Sequence, residues 1–409
     1  MNRNDWAITR FAMIAHGMFH IYELTIPLFI VVWLVAFDVS AAVIGTIVGL
    51  GLGLIGIGAV FSGVLADEYG SKNLVMLSIT GMGGSFILIS LSPTVEVLAL
   101  ALFVWGAASS LYHPAALSLL TRGTTEQGTA LAYHGVAGNV GTSLGPFTAA
   151  VLLTFLPWRT VAGLFAIPAL IGAALVYRVS FDERAGIDPN VKAVQTETGI
   201  TDVVGFFKQS KYLFTGGFVI AFLIMMTHGL YARGVLSFLP EILSDLPLFA
   251  PILIGEETFE PSSYVFAGLL LLGAGGQYIG GKWTDRGSTE YALVGSYFLI
   301  VLLSLAFFPA ANAGLLPILA VCGALGFTIY MTGPIRQALL AKYSPPDMHG
   351  LSFGYFYLGV YGVGAVGASL AGIVLTYATA EQFFVVFGAI AGIVVCLGLF
   401  LVARYAHDR

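Results

Sequence analysis

Charge is scarce in this chain. Of its 409 residues, 10% are charged and 58% are hydrophobic, with a net charge of −5. A soluble domain carries about 25% charged residues. A water-soluble enzyme of this size is therefore excluded, because it would lack the polar atoms to cover its surface. Cysteine is scarcer still: Cys322 and Cys396 both sit inside apolar runs, which excludes a disulfide framework. Runs of Lys and Arg are missing and the sequence pI is about 5.8, which argues against a nucleic-acid partner. The sequence has no phosphate-binding Gly-x-x-x-x-Gly-Lys-Ser/Thr run and no zinc-binding His-Glu-x-x-His. What abounds is apolar side chain and glycine: mean hydropathy is +0.91 and glycine occurs 51 times. That is the composition of membrane helices with small residues where they touch.

A helix crossing about 30 Å of hydrocarbon needs roughly 20 apolar residues. Such runs are expected at 8–37, 41–66, 73–92, 95–121, 127–154 and 159–178, then at 211–240, 262–284, 290–309, 314–342, 350–377 and 381–404. The first run is too long for a signal-peptide core and lacks a small-residue cleavage site, so it is expected to stay as a helix. The second set echoes the first. Asp67 and Asp285 follow helices two and eight 218 residues apart, Pro114 and Pro334 lie 220 apart, and Gly128 and Gly350 open helices five and eleven 222 apart. Three landmarks at nearly one offset mark a duplicated unit. The expected fold class is an all-α membrane protein of 12 transmembrane helices in two six-helix pseudo-repeats. An N-terminal bundle covers 1–178, a polar linker 179–209 and a C-terminal bundle 210–409. Lys and Arg set the orientation. With the N-terminus inside, only Arg159 falls in an outer loop, while the loop after helix seven holds Asp245, Glu256, Glu257 and Glu260 and no basic residue. Both termini and the linker are expected on the cytoplasmic side of the cell membrane.

The run from Gly63 to Lys72 resembles the signature between helices two and three of the major facilitator superfamily, Gly-x-Leu-Ala-Asp-x-x-Gly-x-Lys. It matches at Gly63, Leu65, Ala66, Asp67, Gly70 and Lys72 and departs at Glu68, where the family usually has a basic residue. The resemblance implies the major facilitator fold and a capping and gating role for Asp67, beside Lys72 and Arg122. Asp285, beside Arg286 and Lys342, is the expected counterpart in the second half. Gly141-Thr142-Ser143-Leu144-Gly145-Pro146 is similar to the Gly-x-x-x-Gly-Pro element of the superfamily's drug:proton exporters. His113-Pro114 together with Gly138-Asn139-Val140-Gly141 is similar to the fosmidomycin-resistance group of exporters. His16 fits a histidine expected in that group, whereas His20 stands where the group tends to have a carboxylate and Glu23 is the nearest one. The implied function is a secondary active transporter that exports a small anionic or drug-like molecule in exchange for protons, as a monomer in the bilayer and without a cofactor. An importer or exchanger of organic anions or sugar phosphates is the alternative.

Ionisable groups inside hydrocarbon are costly, by roughly 2.5–3.5 kcal/mol on insertion scales, so each demands an account. His16, His20, Glu23 and Pro27 follow spacings of four, three and four and share one helical stripe. This stripe is either a proton-binding cluster on a central cavity or an anchor that pairs with an arginine to join the halves. Helix seven supplies His228, Tyr231 and Arg233, and helix ten supplies Arg336 two residues after Pro334. In the superfamily, helices one, four, seven and ten line the cavity, so the resemblance gathers these groups around one chamber. Two arginines against one carboxylate favour an anionic substrate, since guanidinium forks grip such groups. Arg336 has the alternative of bonding helix-end carbonyls. His113 precedes a proline that bends helix four and frees a carbonyl. His134 and Asn139 serve either the site or inter-helix hydrogen bonds. Gly135, Gly138, Gly141 and Gly145 are expected to let helices approach closely, as are the glycines between Gly45 and Gly58. His16-x-x-x-His20 also has metal-ligand spacing, but no metal is expected: no His-Glu-x-x-His occurs, and the third ligand would have to be Glu23 or come from elsewhere.

Overall fold

The computed structural model describes residues 1–177, 179–186, 210–214, 216–255, 257–345 and 348–405. Its helices form twelve spans, numbered here in chain order. Span one is Arg3–Phe37, two is Ala41–Tyr69, three is Ser71–Ser90, and four is Val95–Ser110 continued by Tyr112–Gly123. Span five is Gln127–Phe155 and six is Trp158–Leu164 continued by Ala166–Tyr177. Spans seven to ten are Gly216–Ser244, Pro261–Thr284, Thr289–Ala313 and Leu315–Lys342. Span eleven runs from His349–Tyr357 through Leu358–Val363 to Val366–Tyr377, and twelve is Ala380–Tyr405. Eleven of them are long and apolar enough to cross a membrane, and the sixth is a shorter apolar helix, Trp158–Ala174.

Each interruption has a local cause. Pro114 has no N–H for the Ser110 carbonyl, so span four breaks at Leu111, whose own carbonyl accepts from Ser62 Oγ at 2.8 Å. Pro168 likewise cannot bond Leu164; span six breaks at Phe165, and the Tyr22 hydroxyl donates to the Phe165 carbonyl at 2.7 Å. Span eleven widens to a π-helix over Leu358–Val363, and Gly364 N–H closes it on the Gly359 carbonyl at 2.9 Å. Such segments are rare and concentrate where a helix does something besides pack.

The duplication shows in the packing. Span one lies on span five through Gly138, Gly141 and Gly145, and span seven lies on eleven through Gly229 and Gly234. Span two meets four where Gly51 faces Gly106, and span eight meets ten where Gly276 faces the Phe327 backbone. Between the halves, Gly45, Gly49, Gly53 and Gly56 of span two press on the span eleven segment from Gly362 to Gly372. The Ala42 N–H donates to Thr376 Oγ1 at 2.9 Å, and Thr154 of span five lies 3.4 Å from the Tyr264 hydroxyl of span eight. These contacts sit toward the face opposite the start of span one, called here the loop face; the other is the termini face.

Two features differ from expectation. The loop after span seven holds a two-stranded antiparallel hairpin, Ile252–Ile254 with Glu257–Phe259. The expected linker is partly docked. The Asp182 N–H donates to Asn4 Oδ1 at 2.8 Å and the Gly186 N–H to the Arg122 carbonyl at 2.9 Å, while its residues from 187 to 209 lie outside the described residues.

Candidate functional site

The polar stripe of span one faces other helices. His16 Nδ1 donates to the His134 carbonyl of span five at 2.7 Å. His16 and His20 bring their Nε2 atoms to 3.2 Å, and His20 Nδ1 donates to Glu23 Oε2 at 2.8 Å. Glu23 Oε1 accepts from the Arg233 guanidinium of span seven, so the chain of bonds runs from one half into the other. The His16 ring lies where a side chain on Gly138 would stand, and it stacks on the His134 ring at 3.8 Å and 7°. The Tyr112 hydroxyl donates to the Ala12 carbonyl at 3.0 Å and lies 2.9 Å from His134 Nε2. His113 stacks on Tyr357 of span eleven with centroids 4.8 Å apart, and its Nε2 is buried without a partner.

Arg233 lies over the Tyr361 ring, its Cζ 3.9 Å from the centroid, and its Nε has no partner. A cavity of about 20 Å³ beside the pair is lined by Glu23, Pro27, Val48, Arg233 and Ser237. Arg336 is buried on span ten. Its Nε donates to Thr332 Oγ1 at 3.4 Å, its Nη1 lies 3.9 Å from Met225 Sδ, and Phe356 sits 5.6 Å away beneath the guanidinium. Among the described residues no carboxylate pairs with it. Glu23 and Arg233 cancel in charge, so Arg336 leaves the interior with a positive surplus.

Two further expected cavity residues bond span nine. His228 bonds the Tyr297 hydroxyl at 2.7 Å and stays within electrostatic reach of Arg336 and Arg233, while Tyr231 bonds Ser304 Oγ at 2.9 Å. Asn139 is half-buried, and its carbonyl accepts from Ser143 Oγ at 3.5 Å. Gly141 packs against the backbone of Gly17 and Gly145 against Ile21, with Pro146 buried one residue on, whereas a side chain on Gly135 would meet nothing within 4 Å; close approach there is corrected. Tyr112, Tyr357, Tyr361 and Tyr297 were not anticipated. The pair Tyr357 and Tyr361, four apart on a helix, was the available signal.

On the termini face the side chain of Asp67 lies outside the described residues, and Gly63 has open space around it. Gly70 takes a φ of 85°, a conformation that suits glycine, and so ends span two. Lys72 Nζ donates to the Val179 carbonyl at 2.5 Å. Glu183 caps span three, accepting from Ser71 N–H at 2.8 Å and Lys72 N–H at 3.3 Å. Arg122, Glu68, Glu183 and Arg184 line a cavity of about 410 Å³. In the second half, Asp285 and Arg286 are exposed. Lys342 pairs with Glu290, which is 0% exposed and also accepts from the Tyr343 hydroxyl at 2.7 Å and from Ser288 Oγ at 2.8 Å. Lys342, expected beside Asp285, thus pairs with Glu290 instead. Glu290 stands in the first turn of span nine, where the helix dipole favours a carboxylate, while Asp285 follows span eight in solvent.

A model of the Major Facilitator Superfamily matches residues 12–335. Multidrug resistance protein MdtH of Proteus mirabilis (strain HI4320) is 25% identical over 339 residues, 79% of this chain and 76% of that protein. Inner membrane transport protein YdhP of Escherichia coli O157:H7 is 32% identical over 146 residues, 34% of this chain and 36% of that one. Among solved structures, an inward-facing, occupied bacterial homolog of the human lysosomal transporter Spinster matches with a TM-score of 0.77. It is 12% identical, over 100% of this chain and 99% of that one. A D-xylose–proton symporter gives a TM-score of 0.73 at 16% identity over 97% of both chains. At those identities the structural likeness speaks for the fold alone.

Proposed function

This chain belongs to the Major Facilitator Superfamily, whose members are transporters and not enzymes, and on that footing we propose a proton-coupled exporter of a small anionic or drug-like molecule. The observation that carries the reading is the ion pair between Glu23 and Arg233, which joins the two halves at the buried centre and continues through His20 to His16. Alternating access that separates the halves separates this pair, and a carboxylate that loses its cation takes a proton. Arg336, buried without a carboxylate partner among the described residues, supplies the attraction for an anionic group. The similarity to a multidrug resistance protein supports export, and His113-Pro114 with Gly138-Asn139-Val140-Gly141 supports the fosmidomycin-resistance group. The distribution of Lys and Arg supports a cell-membrane protein with both termini cytoplasmic, built as bundles 1–178 and 210–409 around a linker 179–209.

In proteoliposomes, Glu23→Gln should abolish transport driven by a pH gradient while leaving substrate counterflow measurable. Normal pH-driven transport by that variant would place the proton elsewhere. For orientation, cysteines at Lys192 and Glu257 should react from opposite sides of the membrane; labelling from one side alone would overturn the topology.

A further inference from the structure

The hydrogen bonds of the histidine cluster fix where its protons are. A carbonyl oxygen only accepts, so His16 carries its proton on Nδ1, which faces the His134 carbonyl at 2.7 Å. Glu23 is held as a carboxylate by Arg233, so His20 Nδ1, 2.8 Å from Oε2, is also a donor. Two neutral rings so arranged turn the lone pairs of both Nε2 atoms toward one another, at 3.2 Å. Lone pairs facing at that distance are satisfied either by a proton on one Nε2, with His20 as an imidazolium, or by a metal ion that both nitrogens bind. His113 adds a third imidazole whose ligand nitrogen lies within 4.8 Å of the other two, and its Nε2 is buried without a partner.

We propose that His16, His20 and His113 form a coordination site for a divalent transition-metal ion, with Zn²⁺ the best fit. This goes beyond the proton-coupled reading above. Zinc–imidazole bonds of about 2.0–2.1 Å in a tetrahedron put ligand nitrogens about 3.3 Å apart, close to the spacing of the two Nε2 atoms. Metal-bound histidines donate their other nitrogen to a carbonyl or a carboxylate, which orients the ring; His16 and His20 do so to the His134 carbonyl and to Glu23. An all-imidazole set selects first-row ions such as Zn²⁺ over Mg²⁺ or Ca²⁺. His16 and His20 keep partial exposure, which leaves the fourth position to water. Of the charged groups beside the cluster, Arg233 is neutralised by Glu23, while Arg336, without a carboxylate partner among the described residues, lies on span ten against Met225 and Phe356.

The test uses full-length protein purified without a histidine tag and stripped with a chelator. Zn²⁺ should bind at about one ion per chain by mass spectrometry of the metal. Co²⁺ should give the intense visible absorption of a tetrahedral nitrogen-ligated ion, and Zn²⁺ should abolish it. His20→Gln and His113→Gln should each weaken Zn²⁺ binding about a hundredfold, since even an outer-shell partner is worth 10–100-fold. Absence of bound Zn²⁺ in the parent protein, a pale octahedral Co²⁺ spectrum, or unchanged binding in folded His20→Gln overturns the proposal. The parent spectrum decides even if a variant fails to fold. The Glu23→Gln transport assay reports on proton coupling alone, so failure of one reading is separable from failure of the other.

Discussion

Replacing Arg233 by Gln leaves the Glu23 carboxylate, 4% exposed, with one remaining partner, His20 Nδ1 at 2.8 Å. Removing one member of a buried ion pair costs about 3–5 kcal/mol, because the surviving charge stays desolvated. Two features hold this case to the lower end. The retained bond from His20 is of the kind worth roughly 1.5–3 kcal/mol, and the adjoining cavity of about 20 Å³ admits one water. The expected loss is then about 3 kcal/mol, roughly 150-fold in the folding equilibrium at about 1.36 kcal/mol per decade. Glu23→Gln/Arg233→Gln removes both charges and leaves two amides able to bond one another, so it should lie within about 1 kcal/mol of the parent. Unfolding in mixed micelles titrated with dodecyl sulfate, followed by the fluorescence of the five tryptophans, compares parent, single and double variants. If the double variant is as unstable as the two single losses added together, the two charges do not compensate one another and the argument fails.

Other expectations follow from the same contacts. Gly141→Leu drives a side chain into the Gly17 backbone and should cost about 1–3 kcal/mol by overpacking, whereas Gly135→Ala meets nothing and should match the parent or exceed it slightly in thermal melting. Glu290→Gln should lose about 2 kcal/mol by weakening the bonds to Lys342, Tyr343 and Ser288, while Asp285→Asn, exposed, should stay within about 0.5 kcal/mol; equal effects in unfolding titrations would contradict the pairing described. Glu183→Ala should cost about 1 kcal/mol by uncapping span three, and hydrogen exchange at the Ser71 and Lys72 amides should quicken. Unchanged exchange at those two amides would remove Glu183 from that role.

The spans were legible because hydrocarbon forces long apolar runs, and the duplication because landmarks such as Pro114 and Pro334 kept their spacing. The stripe of His16, His20 and Glu23 was legible from helical periodicity, and its link to Arg233 agrees with the reading of the stripe as an anchor that pairs with an arginine to join the halves. Other features depend on what meets a residue across space. Glu183 reads in the sequence only as part of the polar linker 179–209, because nothing in its neighbours says that the chain folds back onto span three. Glu290 is not legible as the partner of Lys342, because the repeated signature points to the loop at Asp285 and not to the first turn after it. Tyr231 and Arg233 are two residues apart, and a helix sends them to different sides, one to Ser304 and one to Glu23. Tyr112 lies at a break whose angle the proline alone does not set.

The contact between spans two and eleven is made largely of main chain. Gly45 faces the Ala368 carbonyl, Gly56 the amide of Gly362, and Gly372 the carbonyl of Ala41. A barrier formed by side chains yields one rotamer at a time and passes through states in which water threads the gaps. Two helical backbones laid against each other have fewer such partial states, since parting them at one glycine also loosens the neighbouring contacts on the same helical segment. The loop-face closure therefore opens as a unit. In a carrier closed in this way, leakage is confined to the completed swing.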